Sequence, residues 1–349
     1  MAVIGAVGRG PVLGIETSCD ETAVAILAHD GTVLAQNLLS QTEHAAFGGV
    51  VPEVAARAHL AHLPPMIRAT LEAAGLRVHD LGGVAASTGP GLIGGLIVGS
   101  GVAKGMAMAA GLPFVAVNHL EAHALTARLP WLERPAVFPY LLILLSGGHC
   151  QCVAVDGVGR YRRLGGTIDD AVGEAFDKVA KLLGLPWPGG PALERLAAKG
   201  DATAVELPRP MFGRPGCDFS FSGLKTAVAR KLDQLPPGAL TMDEAANLAA
   251  SFQRAVADVL ADRSRHAAEM MPDATCAVVA GGVAANQTIR AALTEALAPL
   301  PLIAPPIALC TDNAVMVAWC GIERLRLGLA DSLEIPPRPR WPLDEMRAA

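Results

Sequence analysis

Two histidines four residues apart, His119 and His123, lie in Asn118-His-Leu-Glu-Ala-His123, directly after the apolar run Pro113–Val117. On a helix each residue turns by about 100°, so the two imidazoles would lie only about 40° apart and could share one ion. An H-x-x-x-H pair alone equally suits surface or capping positions. A third ligand is available in Cys310-Thr-Asp-Asn-Ala314, where Asp312 sits in a polar turn that opens an apolar stretch. Its alternative reading is a helix N-cap. Two neutral imidazoles and one carboxylate with open positions suit Fe(II) or Zn(II), which spacing does not separate.

The same histidine spacing occurs in zinc proteases, where H-E-x-x-H places a general base beside the first histidine. Here that position is Leu120, and Glu121 falls about 200° from His119, on the opposite helix face. Proteolysis is therefore not expected, and Glu121 is expected to face solvent or form a salt bridge. A second kind of chemistry is suggested by the apolar run Cys276–Ala280, which leads into Gly281-Gly-Val-Ala-Ala-Asn286. Strand, glycine turn and helix set backbone N–H groups and a helix N-terminus against a phosphate. One such turn is weak evidence. Together with Ser146-Gly-Gly-His149 and the acidic turn Asp20-Glu21 it predicts a nucleotide site.

The elements that must position these residues repeat. Val12–Leu27 and Tyr140–Val155 share one plan, an apolar run, a short polar turn and a second apolar run, and both read as β-hairpins. The recurrence predicts a strand-rich unit with following helices that occurs twice. Residues 50–75 have helical spacing interrupted at Pro64 and Pro65, and Val84–Ser87 and Pro113–Val117 read as short strands. Gly91–Leu112 is apolar enough to resemble a membrane helix, but its glycines and alanines, with Lys104 among them, predict a helix packed closely on a sheet. Helices are expected over 171–183, 224–232 and 243–270, with a Gly/Pro loop at 186–191. The predicted fold is α/β, a duplicated two-lobe architecture of the actin and sugar-kinase type (ASKHA) with a nucleotide cleft between the lobes. The expected boundaries are 1–138, carrying the first hairpin and the histidine pair, and 139–349, carrying the later motifs.

Composition narrows the class. Of 349 residues 52% are hydrophobic and 17% charged, enough to bury a substantial core and to exclude general disorder. The seven cysteines form no C-x-x-C pair, which fits reduced thiols in the cytoplasm. Met1–Pro11 lacks the features of a signal peptide, so neither export nor a membrane partner is expected. The net charge of −5 is not that of a chain that lives on nucleic acid, so RNA contact must use local patches such as Arg160, Arg162 and Arg163, or Lys225, Arg230 and Lys231.

Taken together, the motifs resemble the TsaD (Gcp) family: GIETSCDETAVAI at 14–26, GGVVPEVAARAHL at 48–60, NHLEAH at 118–123 and LLSGGH at 144–149. IDDAVGEAFDKVAKLLGLPWPGGP at 168–191, RPGCDFSFSGLKTAV at 214–228, AGGVAAN at 280–286, CTDNAVM at 310–316 and RPRWPL at 338–343 continue the series. The resemblance implies the actin/sugar-kinase fold and a tRNA N6-adenosine threonylcarbamoyltransferase. Such an enzyme moves a threonylcarbamoyl group from threonylcarbamoyl-AMP to the adenosine 3′ to the anticodon, in tRNAs reading codons that begin with A. It also implies His119, His123 and Asp312 as metal ligands, with one Fe(2+) per chain favoured and Zn(2+) as the alternative. Leu144, Leu145, Ser146, Gly147, Gly148, Asp177, Gly190 and Asn286 are implied as binding positions for the adenylate, and no general base is assigned. Asp177 could instead pair with Lys181, and Asn286 could cap a helix. The implied partners are tRNA, a TsaB-like paralogue and a TsaE-like ATPase. Two rivals are a small-molecule kinase or ATPase, which would not need the histidine pair, and a non-catalytic paralogue, which would usually lack it.

Overall fold

The structure is a computed structural model that describes residues 10–41, 44, 49–234 and 240–346. Most of Met1–Pro11 and the first residue of the motif at 48–60 therefore lie outside the described residues.

The chain forms two compact units, the first comprising residues 1–135, 157–161 and 311–349, the second 136–156 and 162–310. In the first unit, β1 (Val12–Glu16) and β2 (Glu21–Leu27) form the expected hairpin, extended antiparallel by β3 (Val33–Ser40). On the other side of β1, β4 (Gly83–Gly89) and β5 (Phe114–Asn118) run parallel to it, giving the order β3-β2-β1-β4-β5. Three parallel strands thus end together at Glu16, Gly89 and Asn118, the edge at which open α/β sheets present ligands. Helix α1 (Pro52–Ala73) runs unbroken through Pro64 and Pro65, where the sequence predicts an interruption. The reason is its buried ridge, Ala55, His59, Leu63, Ile67 and Leu71, which continues past both prolines while these point to solvent. Helix α2 (Ile93–Ala110) is the one helix among the described residues long and apolar enough to span a membrane. It packs on β4 and α1 through Gly95, Leu96, Gly99, Ser100, Ala103 and Ala107. Helix α3 (His119–Thr126) follows β5 without a loop.

The second unit repeats the plan. β6 (Tyr140–Leu145) pairs antiparallel with β7 (Cys150–Gly157) and parallel with β9 (Ala277–Ala280), as β1 does with β2 and β4. With β8 (Arg160–Gly166) and β10 (Leu302–Ile303) the order is β8-β7-β6-β9-β10, the first sheet's order again. The helices are α4 (Val172–Leu182), α5 (Gly189–Ala197), α6 (Ser222–Asp233), α7 (Met242–Glu269), α8 (Gln287–Leu297) and α9 (Ile307–Cys310). The Gly/Pro loop expected at 186–191 is shorter than read, because Gly189 and Gly190 already form the first turn of α5. At α6, Asp169 accepts the N–H groups of Phe221, at 2.8 Å, and Ser222, at 3.3 Å. Against a desolvation cost, these bonds and those from the Ser220 and Ser222 hydroxyls hold its carboxyl below the ordinary value. Asp169→Ala is expected to cost about 1–2 kcal/mol in chemical unfolding at neutral pH, as for a lost cap. A carboxyl lowered by folding stabilises above its unfolded value of about 3.9 and stops doing so as pH falls through the folded one. The deficit of the variant should therefore shrink in acid.

The chain then returns to the first unit as α10 (Ala314–Arg326). The sequence reading divides the chain once, after residue 138, whereas the units interleave because α10 packs on β1, β2 and β4. Gly14 permits this contact: a Cβ there would stand 2.5 Å from the Ala318 nitrogen. The C-terminal segment continues along this unit, with Arg338 N–H bonded to Thr88 O and Gly91 N–H to Pro339 O.

Candidate metal centre and nucleotide turns

Helix α3 places both histidines on one side. Its N-cap is Asn118, whose Oδ1 accepts the N–H of Leu120 at 2.9 Å, while its Nδ2 donates to the Trp341 carbonyl at 2.9 Å. The His119 and His123 rings stand edge to face with centroids 4.8 Å apart. The alternative of Asp312 as a helix cap does not hold, because Asn313 caps α10 by accepting the Met316 N–H at 3.0 Å. Asp312 is left free to turn toward the histidines. Its Oδ1 lies 3.3 Å from His119 Nε2 and 3.2 Å from His123 Nε2, and the ligand atoms of all three residues lie within 4.8 Å of one another.

These residues fit an ion. Nitrogen and oxygen ligands about 2.1 Å from a tetrahedral ion stand roughly 3.4 Å apart, close to both histidine–carboxylate separations. The histidine side chains are nearly closed off, at 8% and 2% exposure, while that of Asp312 is 23% exposed, so the site opens on the carboxylate side. Burial disfavours the Asp312 charge, but His119 and His123 outweigh it and hold the carboxyl well below the usual range. Burial likewise opposes a charge on His119, yet Asp312 and Glu16 raise its value well above that of free histidine. The carboxylates that favour a proton on His119 would equally favour a divalent cation in its place.

Glu121 needs correcting in part. It is fully buried rather than solvent-facing, and its carboxylate takes the Arg324 guanidinium at 3.1 Å, the Tyr161 hydroxyl at 2.9 Å and the Gly159 N–H at 3.1 Å. The salt bridge is the half of the expectation that the structure shows. With its carboxylate bonded to Arg324, Tyr161 and Gly159 rather than to either histidine, Glu121 is not placed to act as a base.

In the second unit the expected binding positions lie on linked elements. Leu144 and Leu145 are buried in β6, so only their backbone can face a ligand. Ser146, Gly147 and Gly148 form the turn to β7, closed by Ser146 N–H to His149 O at 2.7 Å. Both glycines are exposed. The turn abuts α4 through the Gly173 N–H on Ser146 O. Gly281, at φ +92°, crosses so close to β6 that a Cβ would lie 2.3 Å from Leu145 O. Asp177, on α4, accepts the Gly189 N–H at 3.0 Å and the N–H of Gly190, rather than pairing with Lys181. Asn286 caps α8 by accepting the Ile289 N–H at 3.0 Å and donates to Gln253 Oε1 at 2.8 Å. The capping alternative thus describes its side chain in this structure. Glu194 ties α5 to α8 by accepting the Gln287 N–H at 2.9 Å.

One residue of the first unit escaped the sequence reading. Glu16 is fully buried at the end of β1, with Oε2 3.0 Å from His119 Nδ1. The available signal was an acidic residue closing the otherwise apolar strand VLGIE.

Comparison with known proteins agrees with both the fold and the motifs. A family model for TsaD, tRNA N6-adenosine threonylcarbamoyltransferase, matches residues 32–319. The protein of that name from Granulibacter bethesdensis is 62% identical over 96% of this chain and 94% of its own length. That from Gluconobacter oxydans is 63% identical over 97% of this chain and 95% of its own. Among solved structures, HypF of T. kodakarensis aligns with a TM-score of 0.62 at 16% identity, over 91% of this chain and 48% of that one. The fold is α/β of the actin/sugar-kinase type.

Proposed function

We propose a chemistry for these residues from one premise: the chain belongs to the TsaD family, the tRNA N6-adenosine threonylcarbamoyltransferases. It transfers the threonylcarbamoyl group of threonylcarbamoyl-AMP to the N6 amine of the adenosine 3′ to the anticodon, in tRNAs reading codons that begin with A. N6 attacks the carbamoyl carbon, the C–O bond to phosphate breaks, AMP leaves with the bonding electrons, and N6 gives up a proton. The adenine amine is a poor nucleophile because its lone pair is delocalised, whereas the mixed anhydride is already activated. Stabilising the charge on the leaving group is therefore the larger task.

His119, His123 and Asp312 would hold one ion, iron(II) by the family resemblance with zinc(II) as the alternative. When bound, it supplies Lewis-acid stabilisation of charge growing on the departing phosphate. The convergence of two Nε2 atoms on Asp312 Oδ1 is the observation that carries this reading. Leu144 to Gly148, Asp177, Gly190 and Asn286 would hold the adenylate. The exposed backbone of Gly147 and Gly148 offers N–H donors to phosphate, and the remaining lone pairs of Asp177 offer acceptors to ribose. No general base is assigned. A TsaB-like paralogue and a TsaE-like ATPase would complete the system in the cytoplasm, a reading supported by family membership.

Elemental analysis is expected to find about one transition-metal ion per chain in the isolated protein, and His119→Ala with His123→Ala is expected to release it. Full occupancy in the double variant would remove the site. Asp177→Ala and Asn286→Ala should keep the metal and weaken AMP binding in calorimetry, and unchanged affinity in both would reject the nucleotide assignment.

A further inference from the structure

Glu16 is an expensive residue where it stands. A carboxylate with no exposed surface loses its hydration and must be repaid by partners. Among the described residues no lysine or arginine forms an ion pair with it. Its partners are the Ser18 N–H, at 2.6 Å from Oε1, the Ser87 hydroxyl on Oε2, and His119 Nδ1, at 3.0 Å from Oε2. Two of the three come from the neighbourhood of β1 and β4 and fix where the carboxylate points. The third is the back of a ring whose front, Nε2, faces Asp312.

We propose that Glu16 is a positioning residue of the metal centre: its carboxylate accepts a hydrogen bond from the Nδ1–H of His119, fixing the tautomer and the ring plane so that Nε2 would present its lone pair to the ion. The inference rests on the metal reading given above. Position and chemistry both support it. A neutral imidazole binds a metal through one nitrogen while the other keeps its proton, and a carboxylate accepting a hydrogen bond from that N–H also makes the ligating nitrogen more basic. β1 ends at Glu16, and its neighbour β4 brings Ser87 beside it, one residue beyond the Ile15–Ala86 pair. β5 delivers His119 directly after its last residue. The parallel strands thus set the carboxylate and the imidazole against each other before any ion arrives. His123 has no equivalent, since its buried Nδ1 has no hydrogen-bond partner. Behind the His119 ring, Glu16 Oε2 lies 3.0 Å and Ser18 Oγ 3.2 Å from Nδ1, and of these only Glu16 can carry a charge.

The test is titration of Co(II) into the full-length chain after removal of bound metal by a chelator, followed by the visible absorption of the bound ion. Wild type is expected to take up about one Co(II). Glu16→Gln keeps the size and one acceptor oxygen but removes the charge, and should weaken the dissociation constant by about 10–100-fold and alter the absorption band. Ser87→Ala, which loosens only the carboxylate, should weaken it by a smaller factor. Circular dichroism and the thermal midpoint establish that each protein is folded. If Glu16→Gln does not fold, Ser87→Ala decides alone. Folded variants with wild-type affinity and spectrum would overturn the role of Glu16 while leaving the site intact. His123→Ala is the control for the site: unchanged Co(II) binding there would instead overturn the metal reading on which the proposal rests.

Discussion

His123→Ala is expected to abolish threonylcarbamoyladenosine formation while tRNA binding survives. The imidazole is 2% exposed and meets Asp312 through Nε2, so alanine removes one of the three candidate ligands. If the ion contributes several kcal/mol to the departure of AMP, its loss lowers the rate by about 10²–10⁴-fold. RNA contact is a matter of phosphate neutralisation on the surface and should not notice the change. Single-turnover rates with preformed threonylcarbamoyl-AMP, beside filter binding of tRNA, separate the two effects. A variant that retains the wild-type rate would show that His123 is not part of the reaction centre.

Glu121→Ala is the second large effect, and it concerns stability. The substitution strands the Arg324 guanidinium, 9% exposed, and removes the carboxylate that the Tyr161 hydroxyl and the Gly159 N–H donate to. Removing one partner of a buried ion pair costs about 3–5 kcal/mol. Urea unfolding of the full chain should show a loss of that order, and Glu121→Gln, which keeps the acceptor oxygen, should lose less. A loss below about 1 kcal/mol for alanine would mean that the pair is hydrated in solution. Because Glu121 lies on α3 between the two histidines, the same helix carries a structural anchor on one side and the candidate ligands on the other.

What could be read from the sequence was whatever depends on local pattern. Both hairpins announce themselves by apolar runs around a polar turn, and the duplicated sheets follow from their recurrence. The histidine pair is legible because helix periodicity translates spacing into direction. β8 was not legible: RYRRLGG is polar at most of its outward positions and pairs only because β7 offers an edge. Helix α1 survives two prolines because its buried ridge outweighs the lost backbone bonds, a tertiary effect that no local rule contains. The return of residues 311–349 to the first unit is likewise tertiary, set by the contact of α10 with Gly14. The roles of Glu16 and Glu121 depend on partners distant in sequence, Ser87 and His119 for one, Tyr161 and Arg324 for the other. Type and spacing identify an acidic residue, while burial and partners decide whether it orients a ligand or anchors a helix.

The most direct test of the account is nucleoside mass spectrometry on a reconstituted mixture of this chain, threonylcarbamoyl-AMP, unmodified tRNA and the partner proteins. The account predicts threonylcarbamoyladenosine in the complete mixture, less of it as salt rises, and none when this chain is omitted or replaced by His123→Ala. A complete mixture that yields no modified nucleoside, from a chain that by itself cleaves peptides or phosphorylates a sugar, would contradict it.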